Sequence, residues 1–217
     1  MMKKLIIFPF NGNGLEALDC INHNEYEFLG FVDDDVNKKS ENYEIFTRDI
    51  IKKHQEIFLL AVPGSSLSFQ LRVAIIETLN VDKGRFINAI HPNASIGRNV
   101  QIGYNCLVMA GVVITSNAQL HNHICILPNS VIHHDVVIDS YTLVGSNVLI
   151  AGGVSIGRNC YIGSGSNIIS GIHIDDCALI GLGSNVLKNV AQYSKVAGNP
   201  AKLIGASKIV TISSGHS

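Results

Sequence analysis

The chain has 217 residues, long enough for two modest folding units, and a formal net charge of -1 at pH 7. A net charge so close to zero does not indicate nucleic acid or an anionic membrane as a partner, and no apolar run approaches the ~20 residues of a membrane span. Five cysteines without metal-type spacing indicate core thiols in a reducing compartment, so we expect a cytoplasmic protein without a bound metal.

The first part of the chain, residues 1–89, predicts a small α/β domain of the Rossmann-like type. Short apolar runs alternate with segments that favour helices, which is typical of a parallel sheet with covering helices. In chain order, strands are predicted at residues 5–8, 28–32, 57–62 and 85–88, and helices at residues 15–21 and 67–79.

Polar residues follow two of these predicted strands. Parallel sheets bind ligands at the carboxyl ends of their strands, so these residues are candidate ligand contacts. They are Asn11, Gly12, Asn13 and Gly14 after the first strand, and Asp33 and Asp34 after the second. A Gly-x-Gly turn without a third glycine is also an ordinary strand-to-helix turn, and an acidic run is as often a solvated turn, so these alternatives stay open.

From Ile96 to Val186 an aliphatic residue occurs at every sixth position without a break, which predicts a parallel β-helix over residues 90–192. The aliphatic column is Ile96, Ile102, Val108, Ile114, Leu120, Ile126, Ile132, Ile138, Val144, Ile150, Ile156, Ile162, Ile168, Ile174, Ile180 and Val186. Four positions after each comes a small or β-branched residue, from Val100 to Val190, which forms a second inward column of a narrow, densely filled prism.

Glycine and asparagine recur between these columns, and both tolerate the positive φ of sharp corners. We therefore expect corners at glycines such as Gly97 and Gly163 and at asparagines such as Asn99 and Asn185. Residues 193–217 are predicted to form a C-terminal tail, with a turn at residues 198–200 and a disordered end at residues 213–217.

Three hexapeptides form one coil of a triangular β-helix, so residues 18 positions apart should stack at the spacing of paired strands, ~4.8 Å. His134 then lies over Gly152, with Asp135 beside it. A second line along the prism is formed by Ser164, Leu182 and Pro200.

Of the histidines in the repeat, His134 has the neighbours that a general base requires. Asp135 follows it, and a neighbouring carboxylate can orient an imidazole and stabilise its protonated form. Gly152 opposite leaves a gap in which a backbone N–H can stabilise a developing oxyanion. A solvated surface histidine is an equally good interpretation of these residues by themselves. We interpret His121, His123 and His173 as solvated surface residues.

The chain resembles the left-handed β-helix acyltransferases, specifically the group of sialic acid O-acetyltransferases and nucleotide-amino-sugar N-acetyltransferases. The resemblance covers nearly the whole chain. It rests on Phe31-Val32-Asp33-Asp34, on His-Pro-Asn-Ala-Ser-Ile-Gly at residues 91–97, on Asn-Ser-Val-Ile-His-His-Asp at residues 129–135, and on Gly-Asn-Pro-Ala-Lys at residues 198–202. The repeat alone indicates only the superfamily, whereas its combination with the small N-terminal domain is more specific.

The resemblance implies a homotrimer with acetyl-CoA in the groove between neighbouring β-helices. The family's general base falls on His134 with Asp135, and the N–H that faces the thioester falls on Gly152. The CoA groove continues along Ser164 and Leu182, in the line that ends at Pro200. The nucleotide-linked amino sugar is held by the N-terminal domain, through the glycine turn at residues 11–14 and through Asp33 or Asp34 as the base-reading acid.

Two residues depart from the pattern of this family. Asn13 replaces a histidine that members often carry in the glycine turn. Leu143 stands where members often carry a second histidine near the thioester. The first departure puts a substrate contact in doubt, and the second removes a residue that can hold acetyl-CoA.

We therefore predict an acetyl-CoA-dependent N-acetyltransferase that acts on the 4-amino group of a UDP- or dTDP-linked 4-amino-4,6-dideoxy sugar. An O-acetyltransferase of the sialic acid type is the first alternative. A metal-dependent hydratase resembling γ-class carbonic anhydrase is a remote one, because His121, His123 and His134 do not reproduce the spacing of its zinc ligands. A non-catalytic scaffold is the other remote alternative.

Overall fold

The computed structural model describes residues 2–207 of the chain. The N-terminal unit, defined here as residues 3–87, contains a parallel sheet with the strand order β3-β2-β1-β4. Its strands are β1 (Lys3–Phe8), β2 (Tyr26–Val32), β3 (Ile45–Phe46) and β4 (Phe58–Ala61), and its α-helices are α1 (Gly12–Glu16), α2 (Asp49–Lys53) and α3 (Arg72–Glu77). Short 3-10 helices occur at Ala17–Cys20, Phe69–Leu71 and Lys83–Arg85.

Strands β1, β2 and β4 lie where the apolar runs predict them, but the strand predicted at residues 85–88 is wrong. Phe86 forms only a single bridge to Leu59. The buried guanidinium of Arg85 donates hydrogen bonds to the carbonyl oxygens of Ile57 and Ile51, so this segment closes the unit instead of extending its sheet. The sequence interpretation also missed β3 and α2, which are too short to show a clear period.

Both sides of the N-terminal sheet are buried because successive strand residues alternate between its faces. Ile6 and Leu59 pack with Ile76 on the outer side. Leu5 and Ile7 pack on the other side against outward residues of the β-helix, which are Leu107, Met109, Cys125 and Leu143. The N-terminal unit therefore sits directly on one face of the β-helix.

The β-helix is built from dipeptide strands that pair in parallel with strands three positions further along the chain. They are β5 (Ala89–Ile90), β6 (Ser95–Ile96), β7 (Gln101–Ile102), β8 (Leu107–Val108), β9 (Val113–Ile114), β10 (Gln119–Leu120), β11 (Cys125–Ile126), β12 (Val131–Ile132), β13 (Val137–Ile138), β14 (Leu143–Val144), β15 (Leu149–Ile150), β16 (Ser155–Ile156), β17 (Tyr161–Ile162), β18 (Asn167–Ile168), β19 (His173–Ile174), β20 (Leu179–Ile180) and β21 (Asn185–Val186). The predicted parallel β-helix is confirmed.

The prism has three faces, named here by their strands. Face 1 contains β5, β8, β11, β14, β17 and β20 and carries the N-terminal unit; face 2 runs from β6 to β21, and face 3 from β7 to β19. Within each face, residues 18 apart are partners, as in Ile132 with Ile150. Both inward columns belong to one hydrophobic core inside the prism.

The corners of the prism differ from the expectation in one respect. Positive φ recurs at every sixth residue, at Asn99, Asn105, Gly111, Asn117, His123, Asn129, Asp135, Tyr141, Asn147, Gly153, Asn159, Gly165, Gly171, Cys177 and Gly183. Asn185 and the glycines that directly follow the aliphatic column are not among them. A Cβ at Gly163 would lie 2.7 Å from the backbone nitrogen of Leu182, so this glycine permits a close approach of two coils.

The last coil of the β-helix has two residues fewer than the period of 18 predicts, since its strands pair at a separation of 16. Ile168 pairs with Val186 at a separation of 18, but Ile174 bridges Val190 and Leu179 pairs with Lys195 at a separation of 16. Val190 therefore takes a place in the first inward column instead of the second. The chain then ends in an antiparallel pair, β22 (Ser194–Ala197) and β23 (Lys202–Ala206).

Among the described residues, no helix is both long and apolar enough to cross a membrane. The disordered end predicted at residues 213–217 lies outside the described residues.

Candidate active site

His134 and Asp135 lie together at the turn between β12 and β13, where face 2 meets face 3. Nδ1 of His134 is 2.7 Å from Oδ2 of Asp135, and both side chains are more than half exposed, at 60% and 56%. Asp135 is a corner residue with φ of 58°. The pKa of its carboxyl is lowered by hydrogen bonds from His134 and then from Asn117. The pair therefore presents an oriented imidazole to the solvent at a rigid corner.

Gly152 lies against the ring of His134, as the stacking of coils predicts. A Cβ at this position would be 2.6 Å from both Cε1 and Nε2 of the imidazole. Gly153 donates its N–H to the carbonyl oxygen of His134, which fixes the two coils to each other. Within residues 2–207, the N–H of Gly152 has no acceptor. Glycine thus leaves room for the ring, and its N–H is not used in the pairing of the coils.

The other histidines of the repeat have different environments, and the prediction for His123 was wrong. His121 is half-exposed and contacts Asp139, and His173 contacts Ser155, so both lie at the surface of face 3. His123 is only 3% exposed, because it lies under the N-terminal unit and stacks on Tyr141. Sequence alone could not show this contact between distant segments.

Burial lowers the pKa of His123 to about 4, with a smaller contribution from the positive charge of Arg72. Its Nδ1 is 2.8 Å from Nδ2 of Asn105. The Asn105 amide is oriented by Ala61, whose N–H donates to Oδ1 and whose carbonyl oxygen accepts from Nδ2. Nδ1 of His123 must therefore be an acceptor, which requires a neutral ring.

The line expected to hold CoA is continuous only in its first part. The hydroxyl of Ser164 accepts a hydrogen bond from the N–H of Ser146, and the side chain of Leu182 is 71% exposed. Pro200 was expected to stack on Leu182, but the last coil is too short for this. The N–H of Asn185, three residues after Leu182, already donates to the carbonyl oxygen of Gly198. Pro200 instead lies in the exposed turn before β23.

Leu143, which stands where members of the resembled family often carry a second histidine, does not lie at the His134 corner of its own chain. It belongs to β14 on face 1, is 2% exposed, and packs in the hydrophobic cluster beneath the N-terminal unit. Within one chain, its side chain therefore serves the packing of the two parts of the molecule and not the His134 corner.

The glycine turn of the N-terminal unit begins α1. Asn11 caps this helix by accepting a hydrogen bond from the N–H of Gly14 at 2.8 Å. A Cβ at Gly14 would lie 2.4 Å from the carbonyl oxygen of Pro9, so only glycine fits. Gly12 is open, and the Asn13 amide donates to the carbonyl oxygen of Gly64 at 3.3 Å. The turn thus lies beside the loop after β4.

The two acidic candidates already have partners inside this unit. Asp33 is 7% exposed, accepts from the N–H of Phe10 at 3.0 Å, and forms an ion pair with Lys38 at 2.9 Å. Asp34 receives two hydrogen bonds from the Arg48 guanidinium at 2.5 and 2.7 Å. Asp33 therefore links the loop after β2 to the glycine turn, and Asp34 lies further out.

One chain keeps these two groups of candidate residues apart. The N-terminal unit packs on face 1, whereas His134 lies where face 2 meets face 3, at the corner opposite face 1. Within residues 2–207, no group of three or more histidine, cysteine or acidic side chains is arranged to hold a metal ion.

The fold is shared with solved structures, among them acetyltransferases. The acetyltransferase domain of PglB from Neisseria gonorrhoeae FA1090 matches with a TM-score of 0.82 and 21% identity, over 93% of this chain and 100% of that one. PerB from Caulobacter crescentus, in complex with CoA and GDP-perosamine, matches with a TM-score of 0.82 and 22% identity, over 94% and 98%. WeeI from Acinetobacter baumannii AYE matches with a TM-score of 0.79 and 22% identity, over 94% and 100%.

These likenesses extend over the N-terminal unit as well as the β-helix, and at this level of identity they establish the fold. No protein-family model matches the chain, and no curated protein matches it significantly in sequence.

Proposed function

We propose that this protein is an acetyl-CoA-dependent N-acetyltransferase that acts on the amino group of a nucleotide-linked 4-amino-4,6-dideoxy sugar. The observation that carries this proposal is the His134–Asp135 pair, whose imidazole lies against Gly152 at a corner of the β-helix. The proposal assigns a left-handed β-helix to residues 90–192, a Rossmann-like nucleotide-sugar domain to residues 1–89 and a C-terminal tail to residues 193–217.

His134 is the general base of this proposal. With the proton on Nδ1 and directed to Asp135, Nε2 is free to accept a proton from the attacking amine. The amine nitrogen bonds to the acetyl carbon, the carbon–sulfur bond breaks, and the proton passes through Nε2 to the departing sulfur. The N–H of Gly152 stabilises the oxyanion that forms between these steps.

The sugar nucleotide is assigned to the loops at the carboxyl ends of the N-terminal strands. Residues 11–14 and Asp33 lie at this edge, where parallel sheets bind ligands. PerB has been solved with GDP-perosamine and CoA, and the PglB domain with acetyl coenzyme A, which supports this substrate class. UDP and dTDP are the nucleotides proposed from the sequence. GDP is a third candidate, because PerB has been solved with a GDP-linked sugar.

A homotrimer completes the site. Because face 1 and the His134 corner lie on opposite sides of the prism, the sugar-binding loops of one copy must meet His134 of another. Face 2 offers an interface for such an assembly, since its outward residues include Leu149, Ile169 and Leu187, which are 38%, 46% and 52% exposed. Gly152 lies where face 2 meets face 3, whereas Ser164 and Leu182 lie where face 1 meets face 2. Acetyl-CoA would therefore occupy a groove between two copies, with Gly152 from one copy and Ser164 and Leu182 from the other.

The test is the release of free CoA thiol from acetyl-CoA with UDP-, dTDP- and GDP-linked 4-amino-4,6-dideoxy sugars and free sialic acid as acceptors. Turnover with one amino sugar identifies the nucleotide and supports N-acetyl transfer. Activity on sialic acid alone would move the acceptor to a hydroxyl group. Failure to bind acetyl-CoA would overturn the proposal and favour a scaffold.

A further inference from the structure

A line of side-chain amides leads to Asp135 along the His134 corner. Nδ2 of Asn117 donates to Oδ1 of Asp135 at 3.0 Å, and Nδ2 of Asn99 donates to Oδ1 of Asn117 at 3.3 Å. The other oxygen of Asp135 contacts Nδ1 of His134. Successive members lie one coil apart, so the line runs parallel to the axis of the β-helix.

The direction of these hydrogen bonds is set by the line itself. Because Oδ1 of Asn117 accepts from Asn99, Nδ2 of Asn117 is the group that faces Asp135. Each donor then polarises the next acceptor, which strengthens the contact at the end of the line. The backbone holds the corner in place, since the N–H of Asp135 donates to the carbonyl oxygen of Ser116 at 3.1 Å.

The shape of the corner does not account for the bond between Asn117 and Asp135. Asparagine is favoured at both Asn117 and Asn147 because φ is positive there, at 62° and 55°. Both residues are exposed, but of the two side chains only that of Asn117 forms hydrogen bonds within the described residues. A corner asparagine therefore folds without such a partner, and the contact of Asn117 is an additional feature of the His134 corner.

We propose that Asn117 is a positioning residue of the acetyl transfer, which holds the Asp135 carboxylate so that Oδ2 stays on Nδ1 of His134. Held this way, the carboxylate keeps the proton of the neutral ring on Nδ1 and leaves Nε2 beside Gly152 as the base. This inference rests on the proposed function, but the contact it describes can be tested without a substrate.

The kinetic experiment compares Asn117→Asp and Asn117→Ala with Asn147→Asp and Asn147→Ala. Aspartate has the size of asparagine and tolerates positive φ, but it cannot donate and it places a second negative charge next to Asp135. We expect kcat to fall about tenfold for Asn117→Ala and further for Asn117→Asp, with KM for both substrates changed less than twofold. The Asn147 variants should retain wild-type kcat.

The spectroscopic experiment measures the imidazole nitrogen chemical shifts of His134 by NMR, which report the tautomer of the neutral ring. The wild type should be mainly the Nδ1–H form, and Asn117→Asp should raise the fraction of the Nε2–H form. Asn147→Asp should leave the tautomer unchanged. A loss of general stability alone would not produce this difference.

The outcomes separate the two proposals. If the wild type requires His134 for activity but Asn117→Asp changes neither kcat nor the tautomer, the role of Asn117 is overturned while the acetyl transfer stands. Equal losses in the Asn117 and Asn147 variants would also overturn it. If the wild type is inactive on every acceptor but its tautomer responds to Asn117→Asp, the acetyl transfer is overturned and the positioning of His134 by Asn117 is retained.

Discussion

At the scale of single residues, the chemistry of this protein depends on which ring nitrogen of His134 is free. Asp135 occupies Nδ1, and Nε2 lies close to Gly152. The same imidazole–carboxylate contact occurs between His121 and Asp139 at 2.9 Å, but there the carboxylate itself occupies the coil next to the histidine, the place that Gly152 takes next to His134. A histidine–aspartate contact alone therefore does not distinguish His134. Its position opposite Gly152 is what makes His134 a candidate base.

Replacement of His134 tests the general base directly. His134→Asn should lower kcat by ~10²–10⁴-fold, because the amide cannot accept the proton of the amine. The measurement is the release of CoA thiol with the active amino sugar. His121→Asn is the matched control and should retain full turnover. Near-normal turnover of His134→Asn would exclude this histidine as the base.

Gly152→Ala should separate activity from stability. The new Cβ would meet the exposed end of the His134 side chain, which can rotate away, so we expect turnover to fall at least ~10-fold while the free energy of unfolding changes by less than ~1 kcal/mol. Turnover and urea unfolding are measured on the same preparation.

Gly163→Ala is the comparison for this experiment. Its Cβ would meet backbone atoms of the next coil, which cannot move, so it should lose roughly 1–3 kcal/mol of stability. A Gly152→Ala variant that unfolds as easily as Gly163→Ala but turns over normally would contradict the assignment.

At the scale of elements, hydrogen bonds along one edge of the β-helix hold the N-terminal unit in place. The corner residues of successive coils between faces 3 and 1 each contact it. Asn105 binds the backbone of Ala61 through both amide atoms, and Asn159 donates to the carbonyl oxygen of Gln70 at 3.2 Å. The fully buried guanidinium of Arg72 donates to the carbonyl oxygens of Tyr141 and His123. These side chains donate hydrogen bonds to backbone carbonyl oxygens that take no part in strand pairing.

This edge should make the stability of the protein depend on pH. The pKa of His123 is lowered to about 4 in the folded chain, against ~6.5 when it is solvated, so the unfolded state binds more protons between these values. The free energy of unfolding should reach its full value above about pH 6.5 and should decline as the pH falls towards 4. At pH 5 the loss should be about 1–2 kcal/mol. Urea unfolding at pH 7.5 and 5 measures the difference.

His123→Asn isolates this contribution, since asparagine fits a positive φ and does not titrate. The variant should be less stable than the wild type at pH 7.5, because it loses the packing on Tyr141, but its stability should change less with pH. His121→Asn should keep the pH dependence of the wild type. An identical pH dependence in all three proteins would show that His123 is not the group responsible.

The repeat itself was the most predictable element. Each coil of the prism has two inward positions per face, and their periodic filling specifies the register without reference to the rest of the molecule. Corners at asparagines such as Asn99 were predicted correctly, but the one expected at Gly163 was wrong. Glycine occurs both at corners, as at Gly153, and at positions of close approach, as at Gly163. The short strand β3 and helix α2 gave no period that could be recognised.

At the scale of the whole molecule, the proposed site needs more than one copy of the chain. A charge on face 2 should therefore prevent assembly and abolish activity together. Leu149→Asp places a carboxylate in the proposed interface, where burial against another copy would make its desolvation costly. Light scattering after gel filtration should give the mass of a trimer for the wild type and of a monomer for this variant.

Gln119→Asp is the control for assembly, since Gln119 is exposed on face 3. It should keep the wild-type mass and activity. A wild-type protein that is monomeric yet active would contradict the composite site.

The sequence by itself determined the parallel β-helix and the juxtaposition of His134, Asp135 and Gly152, because a fixed period makes neighbours of residues at a known separation. It could not determine the position of Pro200, since the loss of two residues after Val186 breaks that period. Nor could it show that His123 and Leu143 are buried, because both are covered by a unit whose contacts are distant in the chain. Only the tertiary structure decides such contacts, because they depend on how one packed surface fits another and not on a local repeat.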